Sequence, residues 1–280
     1  YDEEGSGGGG YAKVMSEAFL GGVEVCGDLS PVLRVPLFDG RRASEVINDL
    51  GGVVTANAAS DSPTLVLGQA PLGLSPNFCS LLSWDAWCAA VTPMAKGRGL
   101  ACTADNPLAG VAAAALGVNE AFLHARGDLP DAGHRTVGIS LWDPLAVADW
   151  CGEANRGPTL QYLPKSLWLV GLGHLGQAYA WTLGMLPYPT EGRPHVVLQD
   201  FDKAAESNLS TCLLLTANDL GKRKVRLVGQ RLEAVGFTTD LVERRFGPNH
   251  QVLGDEPATA LFGVDNLPAR RDLDSAGFAM

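Results

Sequence analysis

A short apolar run that stops at a glycine-rich turn constrains the fold of this chain more than any other feature. Residues 166–170 (SLWLV) are apolar apart from the first, and residues 171–176 (GLGHLG) follow at once. A run of this length that ends at glycines is typical of a buried parallel strand. A helix is expected next, from Gln177 to Leu186. The pattern therefore predicts a strand, a tight loop and a helix in direct succession.

The glycine loop has the spacing of a nucleotide-binding turn. Gly171 permits a tight turn, Gly173 lets a phosphate approach the backbone, and Gly176 lets helix and strand pack closely. The start of the helix presents free N–H groups and the positive end of its dipole to an anion. His174 could face a phosphate or cap the turn. We expect nucleotide binding here, the alternative being a purely structural glycine turn.

An acidic strand end follows the predicted helix. Residues 195–198 (HVVL) form the next apolar run, and Asp200 lies 24 residues after Gly176. An acid about 20 residues beyond such a loop commonly hydrogen-bonds ribose hydroxyls. Asp200 and Asp202 are therefore predicted to bind the cofactor, the alternative being solvated loop carboxylates. These features alone fit a nicotinamide-dependent dehydrogenase equally well.

The remaining pattern of the second half extends this unit. A helix is expected within residues 222–235, and strands are expected at 240–245 and 258–264. The succession of strand, loop, helix and strand predicts right-handed parallel α/β units. For residues 160–280 we therefore expect a Rossmann-like α/β fold, with a mainly parallel sheet and helices on both faces.

The first half is predicted to be a separate α/β domain over residues 11–155, after a flexible, glycine-rich tail at residues 1–10. Residues 151–158 (CGEANRGP) are typical of a domain boundary. No glycine-rich phosphate loop occurs in this half. The expected strands are 32–38, 53–55, 64–67 and 136–142, and the expected helices are 42–50, 84–91 and 108–125.

Composition narrows the classes of function. The formal charge of −10 leaves no clustered basic face for duplex nucleic acid. No uninterrupted apolar run reaches the roughly 18–20 residues expected of a membrane helix. The six cysteines form no Cys-x-x-Cys pair, so neither a zinc knuckle nor a redox motif is predicted. We expect a cytoplasmic protein that binds neither nucleic acid nor membrane.

Three blocks downstream of the glycine loop carry a family resemblance. Residues 200–209 (DFDKAAESNL) hold an acidic pair followed by Ser-Asn-Leu, residues 219–225 (DLGKRKV) hold Gly-x-x-Lys, and residues 263–266 (GVDN) precede Arg270. With the glycine loop, these blocks occur in the order and at about the spacing of the ThiF/MoeB/HesA superfamily, the ubiquitin-activating type of adenylating protein. The resemblance covers about 105 residues, from 167 to 271.

The resemblance implies an enzyme that uses ATP and Mg²⁺ to adenylate the C-terminal carboxylate of a ubiquitin-like or sulfur-carrier protein, as a homodimer. Lys224 and Asp265 would be the catalytic residues. Lys224 would stabilise negative charge on the phosphates, and Asp265 would hold Mg²⁺. Asn208 would bind the nucleotide, Asp200 the ribose and the glycine loop the phosphates. The alternatives are a solvated Lys224, a turn-forming Asp265 and an Asn208 that caps a helix.

One departure from the family pattern concerns a cation. The family usually has an arginine, often followed by glutamine, where this chain has Thr211 and Cys212. Loss of a fixed charge at the phosphates costs orders of magnitude in phosphoryl transfer. Arg223, Arg244 or Arg245 would have to substitute. Otherwise the protein is a nucleotide-binding pseudoenzyme or partner subunit, and a nicotinamide-dependent oxidoreductase remains a third alternative.

A second departure concerns the end of the chain. Met280 follows soon after the Asp-Asn block, whereas family members continue with further strands, often a transfer cysteine and sometimes a zinc site. The second domain therefore looks truncated at its C-terminus. Cys212 is a weak candidate for a thioester. In the first half, residues 106–122 resemble a small-residue helix of the family, so that half is either a degenerate companion or an alanine-rich packing helix with its strands.

Overall fold

The computed structural model divides the chain into two compact units, one up to Gln161 and the other from Tyr162. The predicted tail at residues 1–10 lies outside the described residues. The structure describes residues 24–27, 29–30, 32–33, 38, 40–56, 63–68, 77–97, 99–104, 106–189, 192, 194–209, 211–247, 254, 256–264 and 278.

The first unit contains a small parallel pair of strands and a larger mixed sheet. Strands β1 (Glu24–Val25) and β2 (Val53–Val54) pair in parallel, with helix α1 (Ala43–Asp49) between them in the chain. The larger sheet has the order β3-β4-β5-β6, with β3 parallel to β4 and the other pairs antiparallel. Its strands are β3 (Thr64–Leu67), β4 (Cys79–Asp85), β5 (Cys88–Pro93) and β6 (Val137–Ser140), and short 3-10 helices span Met94–Lys96 and Glu153–Asn155.

Helix α2 (Pro107–Arg126) packs on the face of β4 and β5. Asn106 caps its start by accepting a hydrogen bond from the Leu108 N–H, and Gly127 ends it in the left-handed conformation at φ 69°. Small residues allow the close approach: a Cβ on Gly117 would lie 2.4 Å from a methyl carbon of Leu82. By length and composition α2 could span a membrane, but its contacts with the sheet are those of a core helix.

The predicted helix at residues 84–91 is wrong, because this segment is the turn of the β4–β5 hairpin. Asp85 pairs with Cys88 across a two-residue turn, and Ala86 has a positive φ of 53°. Alanine does not signal such a turn, whereas glycine or asparagine would. The turn is held from elsewhere in the chain, since Ala86 N–H donates to the carbonyl of Ala104 and Trp87 N–H to that of Arg156.

Other predicted elements of the first unit are confirmed. The strand at 64–67 has the predicted bounds, and β2, β6, α1 and α2 lie within a residue or two of theirs. The predicted strand at 32–38 falls mostly outside the described residues. Val32 forms an isolated antiparallel bridge with Arg42.

The second unit is built on a parallel sheet with the strand order β10-β7-β8-β9. The strands are β7 (Ser166–Val170), β8 (His195–Gln199), β9 (Thr238–Val242) and β10 (Ala260–Phe262), the helices are α3 (His174–Met185) and α4 (Lys224–Ala234), and 3-10 helices span Glu206–Asn208 and Ala217–Asp219. The predicted α/β fold class is confirmed. Helix α3 begins three residues before its predicted start.

The two faces of this sheet are covered differently. Helix α3 contacts β7 and β10, helix α4 contacts β8 and β9, and the two helices contact each other, so they share one face. On the opposite face an apolar cluster forms around Trp168 and Phe246, with Phe262 and Phe278 stacked edge to face. Burial of these large rings stabilises the sheet by about 1.5–3 kcal/mol for each fully buried side chain.

Candidate nucleotide-binding site

The candidate site lies at the C-terminal edge of the parallel sheet. The chain runs from β7 outward to β8 and β9 and then returns to β10 on the other side of β7. In open parallel sheets, ligands bind at the point where the strand order reverses, just beyond the carboxyl ends of the strands. The loop after β7 and the residues after β10 meet at that point.

The geometry of the glycine loop separates its glycines by role. Gly171 has a φ of +81°, which only glycine adopts readily. A Cβ on Gly176 would lie 1.8 Å from the carbonyl oxygen of Gly171, so this position brings helix α3 against the strand end. Nothing lies within 4 Å of a Cβ built on Gly173, which leaves its backbone open to a ligand.

Gly263 packs against the glycine loop, a role that the sequence did not predict. Its N–H donates to the carbonyl of Val170 at 2.8 Å. A Cβ on Gly263 would lie 2.6 Å from the Gly176 nitrogen and 2.7 Å from the Gly171 oxygen. The three glycines therefore form one backbone-to-backbone contact. A glycine directly after a β-rich run was the available signal.

Asp200 holds two loops together. It is 7% exposed, and its carboxylate accepts hydrogen bonds from the Leu172 N–H at 2.6 Å and the Asp202 N–H at 2.7 Å. The acid thus fixes the glycine loop against the segment that follows β8. Each carboxylate oxygen can accept more than one hydrogen bond, so a ribose hydroxyl remains a chemically suitable further donor.

Lys224 is a buried cation beside this edge. Its side chain is 7% exposed, and its ammonium lies 3.6 Å from a carboxylate oxygen of Asp202, whose side chain is 51% exposed. Two backbone hydrogen bonds position it: Lys224 N–H donates to the carbonyl of Asp202, and Ala204 N–H donates to that of Lys222. The structure therefore brings together Asp200, Asp202 and Lys224. An ammonium this buried, whose ion pair among the described residues is the loose one to Asp202, fits a ligand phosphate.

The neighbouring Lys222 has a different environment. Its ammonium is 2.9 Å from Asp219, which also accepts hydrogen bonds from the N–H and hydroxyl of Thr216. Burial alone would raise the pKa of Asp219, but the hydrogen bonds from Lys222 and Thr216 outweigh it and hold that pKa below its ordinary value. This closed pair stabilises the turn before α4.

Asn208 caps a local turn. Its side-chain oxygen accepts a hydrogen bond from Ala205 N–H at 3.0 Å, and its carbonyl accepts one from Cys212 N–H at 2.9 Å. Asn208 thus closes the 3-10 helix that it ends. The exposed Thr211 follows, whereas Cys212 is fully buried in an apolar cluster with Leu215 and cannot attack an external substrate there.

The candidate substitutes for the missing arginine differ in how they are engaged. Arg223 donates to the carbonyl of Phe201 and lies 3.8 Å from Glu243, so its guanidinium is held by the protein. Arg245 lies over the ring of Phe201, 5.1 Å from its centroid, and is exposed at the strand edge. Arg244 is exposed as well.

Gln177 is a second residue that sequence reasoning missed. It is fully buried, donates to the carbonyl of Leu172 at 3.1 Å and accepts from Leu214 N–H at 3.0 Å. A glutamine on a helix face carries no sequence signal for such a role, because both partners are backbone groups and Leu214 is 37 residues away in the chain.

The predicted magnesium ligand Asp265 lies outside the described residues, as do Asn266 and Arg270. Within the described part of the chain, no three His, Cys, Asp or Glu side chains cluster so as to hold a metal ion. The groups that fit a nucleotide are the open backbone at Gly173, the carboxylate of Asp200 and the buried ammonium of Lys224.

Both halves of the chain match domains of one kind of protein. Residues 10–141 match the family described as the BilD N-terminal domain, and residues 163–280 match the BilD C-terminal domain. The chain is 41% identical over 268 residues to the Bacterial E1-like protein BilD of Collimonas sp. (strain OK412). That alignment covers 96% of this chain and 58% of the relative, so the chain spans little more than half of the relative's length.

Among solved structures, the similarities are partial. The crystal structure of the E. coli tRNA N6-threonylcarbamoyladenosine dehydratase TcdA in complex with ATP matches 39% of this chain and 44% of its own, at 16% identity and a TM-score of 0.33. PaaA matches 30% of this chain and 25% of its own, at 23% identity and a TM-score of 0.27. The predicted resemblance to activating proteins is confirmed at the level of an E1-like relative.

Proposed function

We propose that this protein binds ATP at the C-terminal edge of the second unit's sheet and adenylates a carboxylate, that of the C-terminus of a ubiquitin-like or sulfur-carrier protein. The observation that carries the proposal is the buried ammonium of Lys224, 3.6 Å from Asp202 beside the glycine loop. Binding of a nicotinamide dinucleotide requires the loop and the ribose acid, but it does not require a buried cation at this position.

The chemistry fits these groups. A carboxylate oxygen of the substrate attacks the α-phosphorus of ATP, an acyl–phosphate bond forms, and the bond to the β-phosphate breaks with release of pyrophosphate. Negative charge grows on the phosphate oxygens during this step, and a fixed cation nearby stabilises it. Lys224 supplies such a cation. Its ammonium exchanges the contact with Asp202 for contacts with the phosphates.

Magnesium would complete the charge balance. Mg²⁺ prefers carboxylate and phosphate oxygens, and Asp265, three positions after the end of β10 in the sequence, is the residue proposed to hold it. The two residues before it, Gly263 and Val264, are described and lie against the glycine loop. The proposal for Asp265 rests on its place in the sequence, directly after Val264.

The partner class follows from similarity and chemistry together. The relative of this chain is described as E1-like, and the blocks around Asn208 and Lys224 resemble those of proteins that activate a C-terminal glycine. An acyl-adenylate forms from a free carboxylate, so the substrate must present one to the α-phosphorus of ATP bound at the glycine loop.

A second candidate function is that of a nucleotide-binding partner subunit without turnover. The exposed Thr211, where the family has an arginine, specifically favours it. Arg223 is already bound to Phe201 and Glu243. In this alternative ATP or AMP binds, but the charge needed for transfer comes from another protein or is missing.

The test combines binding with isotope exchange. Calorimetry with ATP, AMP and NAD measures the ligand, and exchange of labelled pyrophosphate into ATP, with purified small proteins that end in glycine, measures adenylation. ATP binding with exchange supports the proposal, and ATP binding without exchange under every carrier favours the partner-subunit alternative. Binding of NAD without affinity for ATP overturns both.

A matched pair of variants tests the residue assignment. We expect Lys224→Met to lower ATP affinity and exchange by about a hundredfold or more, because a single fixed charge at a transferring phosphate is worth several kcal/mol. Arg231→Gln, an exposed site at the far end of the same helix, should leave both unchanged. Full activity of Lys224→Met would refute the assignment.

A further inference from the structure

Gln177 connects the glycine loop to the segment that contains Leu214. Its amide donates to the carbonyl of Leu172, within the glycine loop, at 3.1 Å, and its oxygen accepts from the N–H of Leu214 at 3.0 Å. Its own N–H donates to the carbonyl of Gly173 at 2.9 Å. Gln177, near the start of α3, therefore forms hydrogen bonds to the backbone of Leu172, Gly173 and Leu214.

The segment that contains Leu214 comes directly from the block that carries Asn208. The carbonyl of Asn208 accepts from Cys212 N–H at 2.9 Å, and Leu215 N–H donates to the carbonyl of Cys212 at 3.3 Å. These bonds make the described residues of this segment, 208–209 and 211–215, a compact turn, called the 208–215 turn below. The amide of Gln177 thus sets the separation between this turn and the glycine loop.

The burial of Gln177 argues that the amide itself is needed. The residue is fully buried, and an amide left unpaired at such a site destabilises the folded state. An apolar side chain of similar length, such as methionine, would fill the same volume without that requirement. Glutamine is the side chain that donates to a carbonyl and accepts from an N–H through one planar group.

We propose that Gln177 is a positioning residue, which holds the glycine loop and the 208–215 turn at the spacing that a nucleotide's phosphates require. The role rests on the proposed function, since it deepens the same ATP site. Gln177 acts through Gly173 and Asn208 and does not touch the nucleotide itself.

The experiment separates phosphate binding from the rest of the nucleotide. Dissociation constants for ATP and for adenosine are measured on the full chain by calorimetry, for wild type, Gln177→Met and the control Thr182→Val. Thr182, on the same helix, donates its hydroxyl to the carbonyl of Ala178. We expect Gln177→Met to weaken ATP binding about tenfold or more and adenosine binding less than twofold, with Thr182→Val unchanged for both.

Two other outcomes overturn the inference. Equal weakening for ATP and adenosine would show that Gln177 only supports the fold, and unchanged ATP binding would show that its amide sets no spacing. Wild-type protein that binds no ATP overturns the proposed function and this inference together, whereas the first two results leave the proposed function standing.

A variant that can carry a charge gives a second test, the pH dependence of ATP affinity. A role in packing alone predicts no such dependence. Gln177→Glu keeps the shape, but only its protonated form can donate to the carbonyl of Leu172. Burial favours that protonated form, so the ratio of variant to wild-type ATP affinity should rise several-fold from pH 8 to pH 5.5. The ratio removes titration that is common to both measurements, including that of the ATP phosphates. A ratio independent of pH contradicts the proposal.

Discussion

Two buried carboxylates of the first unit, Glu120 and Asp85, are closely paired with arginines, whereas Lys224, a buried cation of the second unit, has a looser ion pair. Glu120 is fully buried, and its carboxylate is filled by the guanidinium of Arg135 at 2.7 Å and by Gly133 N–H at 3.0 Å. Lys224 is also buried, but its ammonium lies 3.6 Å from the half-exposed carboxylate of Asp202. A buried carboxylate whose hydrogen-bond partners all belong to the protein stabilises the fold. A buried ammonium with a weak ion pair beside the sheet edge is suited to bind an anion.

Asp85 repeats the closed arrangement. One of its oxygens accepts hydrogen bonds from the N–H and hydroxyl of Thr103 and from Ala104 N–H, each at 2.9 Å, and the other lies 2.7 Å from Arg156. This carboxylate ties the β4–β5 hairpin to two later segments. Buried polar groups of this kind are retained because each has partners.

The two sheets differ in a way that matches this contrast. The larger sheet of the first unit is mainly antiparallel, so its loops alternate between the two edges. The sheet of the second unit is parallel and reverses its strand order at β7, so the loops that follow its strands share one edge. Convergence of loops at one edge explains why the candidate site lies in the second unit.

The largest expected effect on stability comes from adding a side chain where Gly176 packs against Gly171. Gly176→Ala places a Cβ 1.8 Å from the Gly171 oxygen, and because a backbone atom cannot give way cheaply, we expect a loss of more than about 4 kcal/mol in the free energy of unfolding. Chemical denaturation measures it. A variant as stable as the wild type would contradict the described packing of α3 on β7.

Next in size is the loss of a closed charge in the first unit. We expect Glu120→Ala to lower the free energy of unfolding by about 2–4 kcal/mol, because Gly133 N–H and Arg135 lose their acceptor. The lower end of this range applies if water solvates the partly exposed guanidinium of Arg135. The measurement is denaturation, with ATP affinity determined alongside. ATP affinity should stay unchanged, and a parallel loss of both would break the distinction between the units.

A smaller effect, of the opposite kind, is expected at the open glycine. Gly173→Ala adds a methyl group where no atom lies within 4 Å, so stability should change by less than about 1 kcal/mol. The same methyl would stand where a phosphate approaches the backbone. We expect ATP affinity to fall about tenfold by calorimetry, and unchanged affinity would place the nucleotide elsewhere.

The smallest effect concerns pH and the turn before α4. The pKa of Asp219 is held below its ordinary value by hydrogen bonds from Lys222 and Thr216 against the opposing effect of burial. Its contribution to stability is therefore present above the unfolded pKa of about 3.9 and is lost as the pH falls through the lower folded value.

Urea denaturation of Asp219→Asn beside wild type checks this prediction. The variant should be less stable by about 1 kcal/mol or less at neutral pH, and the difference should narrow below about pH 4. A difference that grew toward low pH would contradict the described hydrogen bonds.

Sequence reasoning recovered the second unit better than the first, for a local reason. The glycine loop, the acidic strand end and the strand–helix order are written in consecutive residues, and β7 was predicted with its observed bounds. The β4–β5 hairpin was missed because Ala86 takes its positive φ through bonds to residues 104 and 156. No short window of sequence contains those partners.

The sequence by itself determined the parallel α/β unit and the glycines that end its first strand, since periodicity and small residues act within a few positions. Only the tertiary structure decided that Lys224 is buried beside Asp202, that Gly263 closes on Gly176, and that Gln177 joins the loop to Leu214. The physical reason is that burial and hydrogen bonding depend on backbone groups brought together from distant parts of the chain. Residue type alone does not record which of those groups will meet.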